Sequence, residues 1–146
     1  MQLNHNLKTR ISLLSIALIL LAVGGLIYCF FRPRILLLHV LINKLPCQSL
    51  FDKIGALCQN CQLPDFMVYN LPGGLWTIAY LLVVEAIFLN RTFTERIWWA
   101  AVIPFIGSVS EGLQALEVLP GHFDWWDLCC YLVPFCCYIG ISLHAE

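Results

Sequence analysis

A run of 21 uncharged residues near the start of the chain, from Ile11 to Phe31, limits what this sequence can fold into more than any other feature. At about 1.5 Å of rise per residue, such a helix matches the roughly 30 Å hydrocarbon core of a membrane. A cleaved signal peptide is the alternative, but its apolar core is typically about 7–15 residues long and precedes a small-x-small cleavage site. The run is longer than that core and no such site follows it. The sequence therefore predicts a retained transmembrane helix.

Lipid is also the solvent that suits the rest of the chain. Of its 146 residues, 60% are hydrophobic and only 12% are charged, too few to cover a soluble globule of this size. A span needs roughly 20 apolar residues, so the chain has room for about four spans and for no separate soluble domain. The net charge is -1, and Lys and Arg do not form the basic stripe that nucleic-acid binding requires. We expect membrane lipids, and no nucleic acid, as partners.

The apolar segments in the second half of the chain predict three further spans. Together with 11–31, the predicted spans are 72–89, 97–119 and 125–143. Pro72 suits a helix start. Tryptophan pairs at the beginning of the third and fourth spans mark interfacial ends. The sequence therefore predicts an all-α polytopic membrane protein, with 1–146 forming one membrane domain folded as a four-helix transmembrane bundle.

The segment 32–71 connects the first two predicted spans. Its apolar run 35–42 is too short to cross a membrane, so we expect it to lie in the interface or to re-enter. From 47 to 64 the sequence is partly amphipathic, with apolar residues such as Leu50 and Ile54 spaced along one face of a helix. We therefore expect an interfacial helix between spans one and two.

Cytoplasmic loops of membrane proteins carry more Lys and Arg than outer loops. This rule gives only a weak preference for orientation here, because four spans place four Lys or Arg residues on each side of the membrane. The short turn with Arg91 and Arg96 shares a side with the basic N-terminal tail, whereas the connection 120–124 has no Lys or Arg. We therefore predict cytoplasmic termini, and an acidic loop and cysteine-bearing segment outside the cell membrane.

The eight cysteines do not form an obvious disulfide framework. Five lie within apolar runs, where a cysteine behaves as a small hydrophobic residue. Cys58 and Cys61 have C-x-x-C spacing, which is compatible with a disulfide, with free thiols or with half of a zinc site. A zinc site would need two more ligands, and only Cys47 and His39 are nearby in sequence. The disulfide and the free thiols both remain open interpretations.

Several polar side chains fall within the predicted spans, where an ionisable group costs about 2.5–3.5 kcal/mol on insertion scales and needs a partner or a purpose. Glu85 lies in the second span. Ser108, Glu111 and Gln114 recur every three residues in the third span and so share one face, with Glu117 at the end of the same predicted helix. That face is expected to point into the bundle. Hydrogen bonding between helices is the structural alternative to a binding role.

Asp124 and Asp127 lie at the start of the fourth predicted span. There a carboxylate accepts backbone N–H bonds and complements the helix dipole, so capping explains these residues as well as a pocket does. Asp65, Tyr69 and Asn70 come to the membrane on the same side, just before the second span. They would add to one polar pocket, or simply form an interfacial loop.

These motifs together resemble the VanZ-like family of bacterial membrane proteins, named for a teicoplanin-resistance accessory protein. The segment 111–114 (Glu-Gly-Leu-Gln) is similar to the family's E-x-x-Q, and the segment 120–127 (Pro-Gly-His-Phe-Asp-Trp-Trp-Asp) is similar to its P-G-R loop followed by D-x-x-D. Asp65 corresponds to the first residue of a D-x-x-x-H element. The resemblance covers about 65–141, roughly half of the chain.

The chain departs from the family pattern at three positions. His122 stands where the family usually has Arg, Tyr69 where it has His, and Tyr131 where Asn commonly follows the second Asp. Without the loop Arg the pocket has no fixed cation, so a bare phosphate or carboxylate would be repelled. The chain therefore resembles a divergent member of the family.

The resemblance implies a non-enzymatic envelope protein of the bacterial cytoplasmic membrane that affects glycopeptide susceptibility. Its extracytoplasmic pocket would bind a lipid headgroup or a lipid-linked cell-wall precursor. Binding would need a metal ion, Arg32 and Arg34 folding in, or a ligand that bears a cation. The pocket candidates are Asp65, Tyr69, Asn70, Glu85, Ser108, Glu111, Gln114, His122, Asp124 and Asp127.

Two other classes of function stay open. The first is an intramembrane enzyme in which Glu111 and Asp127 act as an acid–base pair, or hold a divalent metal together with Asp124, with His122 as the titrating group. No activated nucleophile is apparent, so the sequence favours a binding protein. The second is a small proton- or cation-coupled transporter in which Glu85 and Glu111 form a relay. Four helices are few for transport, so that function would require a homodimer.

Overall fold

The computed structural model describes residues 2–31, 48–59, 61 and 63–144. These residues form helices joined by turns, and none of them lies in a strand. The helices are α1 (Gln2–Phe31), α2 (Gln48–Gln59), α3 (Asp65–Tyr69), α4 (Leu71–Phe88), α5 (Phe93–Ala115) and α6 (Trp125–His144). The prediction of an all-α chain is therefore confirmed.

Among the described residues, three helices are long and apolar enough to cross a membrane: Asn6–Phe31, Leu71–Phe88 and Trp125–His144. These agree with the first, second and fourth predicted spans. The helix α5 is long enough, with 23 residues, but Glu95 and Arg96 near its start and Glu111 near its end lower its hydropathy. The structure thus confirms a membrane protein with three candidate spans, and it does not confirm a four-span bundle.

The bounds of α5 differ from the predicted span 97–119 for local reasons. A capping box starts the helix at Phe93: the Thr92 hydroxyl accepts a hydrogen bond from the Glu95 backbone N–H, while the Glu95 carboxylate accepts one from the Thr92 N–H. The helix ends at Ala115 because the next turn reverses into the left-handed region at Glu117, with φ of 57°. Glu117 therefore lies beyond the helix and not on its polar face, which corrects the prediction.

Between α1 and α4 the described residues 48–59, 61 and 63–70 include two short helices. The helix α2 lies where the amphipathic pattern predicts one, and both α2 and α3 pack against α1. Its interfacial position stays a prediction. The run 35–42, Cys47 and His39 lie outside the described residues.

The helix α4 is the centre of the bundle, because it contacts α1 on one side and the α5–α6 pair on the other. Close packing with α1 relies on small residues: Ala17 is 1% exposed, and a Cβ on Gly24 would lie only 2.6 Å from the Trp76 indole nitrogen. Asn6 bonds to Asn90 at the far end, so α1 and α4 run antiparallel.

The apolar side chains are distributed as lipid solvation requires. The buried cluster is small and includes Leu81, Val84 and Ala100. Many large apolar side chains face outward instead, among them Leu18, Phe105 and Ile141, each about two-thirds exposed or more. Because water would not solvate this surface, the packing agrees with membrane insertion.

Candidate functional site

Asn70 joins two carboxylates at the end of the bundle where α4 and α6 both begin. Its side-chain nitrogen donates to Asp124 Oδ2 at 2.7 Å and to Asp127 Oδ1 at 3.0 Å. Asn70 is only 4% exposed. One amide thus connects the start of α4 to the start of α6 and holds two anionic groups side by side.

Asp124 is also the N-cap of α6, as the capping alternative predicts. Its Oδ1 accepts a hydrogen bond from the Trp126 backbone N–H at 2.9 Å, and its carbonyl accepts one from the Leu128 N–H at 3.2 Å. Its own backbone N–H donates to Glu111 Oε2 at 3.2 Å. Asp124 can therefore cap α6 and bind Asn70 at the same time, because each of its two carboxylate oxygens accepts from a different donor.

Glu111 brings α5 to the same place. It is 5% exposed, so the helix face that carries it points into the bundle as predicted. Three segments therefore converge, and we define the acidic cluster as Asn70, Glu111, Asp124 and Asp127.

Gln114 and Ser108 flank this cluster on α5. The side chain of Gln114 packs on the loop at Gly121, whose φ of 140° and close backbone approach favour glycine. The Ser108 hydroxyl oxygen is buried and has no hydrogen-bond partner among the described residues. Gln114 thus supports the loop, and Ser108 presents a polar atom one turn below Glu111.

Cys130 is a neighbour of the acidic cluster, although its position in an apolar run predicts only a small hydrophobic residue. Its sulfur lies 3.3 Å from the position that a Cβ on Gly74 would take, so α4 and α6 are in close contact there. The signal in the sequence is its spacing from Asp127, since residues three apart share a helix face.

Glu85 does not join the other carboxylates, contrary to the prediction. Its Oε1 accepts a hydrogen bond from Arg96 Nη1 at 3.0 Å, and its Oε2 accepts one from the Tyr138 hydroxyl at 2.7 Å. Glu85 lies fifteen residues after Asn70, about 22 Å along a helix axis. It therefore belongs to a charge-neutral pair at the opposite end of the bundle.

Asp65 and Tyr69 take part in a different surface feature. They line a neighbouring groove of about 430 Å³ together with Phe30, Phe31, Cys58, Cys61, Leu63 and Val68. Tyr69 is 43% exposed. The loop residue His122 is exposed and has no recorded hydrogen bond or ion pair to the residues that the structure describes. Of the ten predicted pocket residues, the structure thus brings Asn70, Glu111, Asp124 and Asp127 together, with Ser108 and Gln114 beside them.

Two chemical properties of the acidic cluster follow from its contacts. Glu111 and Asp124 accept these hydrogen bonds from neutral donors, namely a side-chain amide and backbone N–H groups. No group of three or more His, Cys, Asp or Glu residues in the described part of the chain is arranged to hold a metal ion. The three carboxylates are hydrogen-bond acceptors to which a positively charged group or a donor would be attracted.

Comparison with known proteins adds no relative, because the chain matches no protein-family model, no curated protein and no solved structure. The resemblance to the VanZ-like family therefore stays a prediction based on short motifs. Any function must be argued from the geometry of the acidic cluster itself.

Proposed function

We propose that this chain is a VanZ-like, non-enzymatic protein of the bacterial cytoplasmic membrane that binds a lipid-linked envelope molecule through the acidic cluster. The observation that supports this proposal most is the pair of hydrogen bonds from Asn70 to Asp124 and Asp127. An effect on glycopeptide susceptibility would follow if the bound molecule is a cell-wall precursor.

A four-span bundle is part of the proposal, with α5 as the additional span. The starts of α4 and α6 are joined through Asn70, and their far ends through Glu85 and Tyr138, so the two helices run parallel. If both cross the membrane, the chain between them must cross back, and α5 is the helix that connects them. Its two buried charged residues, Arg96 and Glu111, face the bundle and not lipid.

The acidic cluster is assigned to the extracytoplasmic side. The basic N-terminal tail reaches the Arg91 turn, since Asn6 bonds to Asn90. The two ends carry equal numbers of Lys and Arg, but the loop 120–124 beside the acidic cluster has none whereas the short turn at Arg91 is basic, so we infer that the Arg91 end is the cytoplasmic one. The acidic cluster lies at the opposite end, where headgroups of the outer leaflet and exported precursors are found.

The ligand chemistry follows from the charge of the acidic cluster. A bare phosphate would be repelled, whereas a primary ammonium group would donate up to three hydrogen bonds to carboxylate oxygens and balance their charge. Such a group occurs in aminated phospholipid headgroups and in the peptides of cell-wall precursors. We therefore assign the acidic cluster to the ammonium part of an envelope lipid.

Native mass spectrometry of the full-length protein tests this assignment. The protein is purified in detergent and also exchanged into bilayers of phosphatidylethanolamine or phosphatidylglycerol. We expect a retained amine-bearing lipid on the wild type, and its loss in Glu111→Gln and Asp127→Asn, which remove charge while keeping an acceptor oxygen. Glu117→Gln is the matched control, because it removes one exposed carboxylate at the same end.

The other results have definite meanings. Equal retention of both phospholipids, unchanged in the variants, would show that the carboxylates are helix caps and packing groups. A stoichiometric divalent metal that is lost in the variants would favour the intramembrane enzyme instead. A relay through Glu85 and Glu111 has no support from the structure, because the two lie near opposite ends of the bundle.

A further inference from the structure

Two cysteines outside the acidic cluster are held at a separation that suits a disulfide. Cys58 lies in the last turn of α2, and the Cys61 backbone N–H donates to the Cys58 carbonyl at 2.9 Å. A hydrogen-bonded turn of this kind keeps its first and fourth Cα atoms less than about 7 Å apart. A disulfide spans about 4.4–6.8 Å between Cα atoms. Both cysteines are free thiols in the structure.

Both cysteines also border a groove that a reaction partner can enter. They line the groove of about 430 Å³ that also includes Phe30, Leu63 and Asp65. Cys61 is exposed and Cys58 is half-buried. Of the pair, Cys61 is therefore the thiol that a partner in solution meets first.

We propose that Cys58 and Cys61 are a redox pair that closes to a reversible disulfide by exchange with a disulfide oxidant. The Cys61 thiol loses its proton and attacks one sulfur of the oxidant, which forms a mixed disulfide and releases one thiolate. The Cys58 thiolate then attacks Cys61 Sγ, forms the internal disulfide and releases the second thiolate. Two protons and two electrons leave the pair, and the oxidant is reduced to two thiols.

The position of the pair favours a slow switch over an oxidoreductase. Reactive C-x-x-C cysteines commonly lie at a helix N-terminus, where the dipole stabilises the thiolate. Cys58 lies instead at a helix C-terminus, so the pair lacks the helix N-terminal position that is typical of such oxidoreductases. The pair is therefore expected to follow the redox state of its surroundings without turning over substrates.

Tryptic mapping of the full-length protein in detergent tests this pair, because the peptide 54–91 contains these two cysteines and no others. The protein is incubated with oxidised glutathione, labelled with N-ethylmaleimide and digested. We expect the wild-type peptide to lose both labels together. Its mass should then be that of the unlabelled dithiol peptide minus two hydrogens. Reduced glutathione should restore both labels. A peptide that keeps two labels, or carries two glutathiones, would overturn the proposal.

Three variants test the assigned order. In Cys58→Ser, the mixed disulfide should persist on Cys61, since the second thiol is missing. In Cys61→Ser, the half-buried Cys58 should take up glutathione more slowly, and equal rates would refute the order. Cys136→Ser is the control, because it removes an exposed cysteine of α6. A changed pattern in the peptide 54–91 of that variant would mean that another cysteine is the true partner.

Discussion

Asn70 is the side chain that holds the acidic cluster together. Its amide is nearly inaccessible and donates to two carboxylates that lie three residues apart on one helix. Like charges on one helix face repel each other, so a donor between them stabilises the arrangement. The same amide connects α4 to α6, so its effect extends beyond the cluster.

Replacement of Asn70 by alanine should destabilise the bundle by about 1–3 kcal/mol, because two carboxylates lose a buried donor. The loss can be measured as a lower midpoint of thermal or SDS-induced unfolding in detergent. The loss caused by Asn70→Ala should be smaller when the substitution is made in the Asp127→Asn variant, because a neutral amide has replaced one of the two carboxylates there.

Asn90→Ala provides the matched control for this prediction. Asn90 also hydrogen-bonds through its amide, since its Oδ1 accepts from Asn6 Nδ2, but this bond is exposed and 3.3 Å long. Exposed substitutions of this kind usually change stability by less than about 0.5 kcal/mol. Equal losses in the two variants would show that Asn70 has no special role at the acidic cluster.

Spacing along the chain predicted part of the acidic cluster. The interval of three residues identified the face with Glu111, and the start of the fourth span identified Asp124 and Asp127. The prediction that Glu85 joins the pocket is wrong, because hydropathy shows that a residue lies within a span but does not identify the side chains that it contacts. The sequence pattern places Arg96 in the turn before the third span, whereas in the structure it lies in the first turn of α5 and pairs with Glu85.

At the scale of helices, the contact between α1 and α4 depends on the absence of a side chain at Gly24. The Trp76 indole occupies the space next to it, and its ring also contacts Tyr28 with centroids 5.6 Å apart. The adjacent Gly25 has no atom within 4 Å of the position of a Cβ. Two neighbouring glycines of one helix therefore face different surroundings.

Gly24→Leu should weaken the packing of α1 on α4, since an inserted side chain in a close contact typically costs about 1–3 kcal/mol. Gly25→Leu should leave stability unchanged or raise it, because leucine is a better helix former than glycine by up to about 1 kcal/mol. The unfolding midpoints of the two variants in detergent make the comparison. Similar losses in both would contradict the assigned face of α1.

Hydropathy predicted the helices α1, α4 and α6 well because each is a long segment with few charged residues. The end of α5 could not be predicted, because it depends on a left-handed residue, Glu117, that is neither glycine nor asparagine. The amphipathic spacing of 47–64 predicted a helix, and α2 lies within that range. Its depth in a membrane depends on lipid contacts that spacing alone does not give.

At the scale of the whole molecule, charge is divided between the two ends of the bundle. The end with Arg91 also holds the pair of Glu85 and Arg96, which is neutral overall. The other end holds three carboxylates in the acidic cluster. This division predicts the ligand, because an acidic outer end favours cationic headgroups, while the predicted orientation depends on the short basic turn at Arg91 and on the lack of Lys and Arg in the loop 120–124.

The topology can be tested with alkaline phosphatase and green fluorescent protein fusions in a bacterial host. Fusions after Asn90 and after Glu146 should be fluorescent and lack phosphatase activity, because four spans return both points to the cytoplasm. A fusion after Gly121 should show phosphatase activity, because α5 carries it across the membrane. If α5 does not cross, Gly121 stays on the same side as Asn90 and the C-terminus lies on the other side. Phosphatase activity at Glu146 with none at Gly121 would therefore refute the four-span bundle and with it the extracytoplasmic position of the acidic cluster.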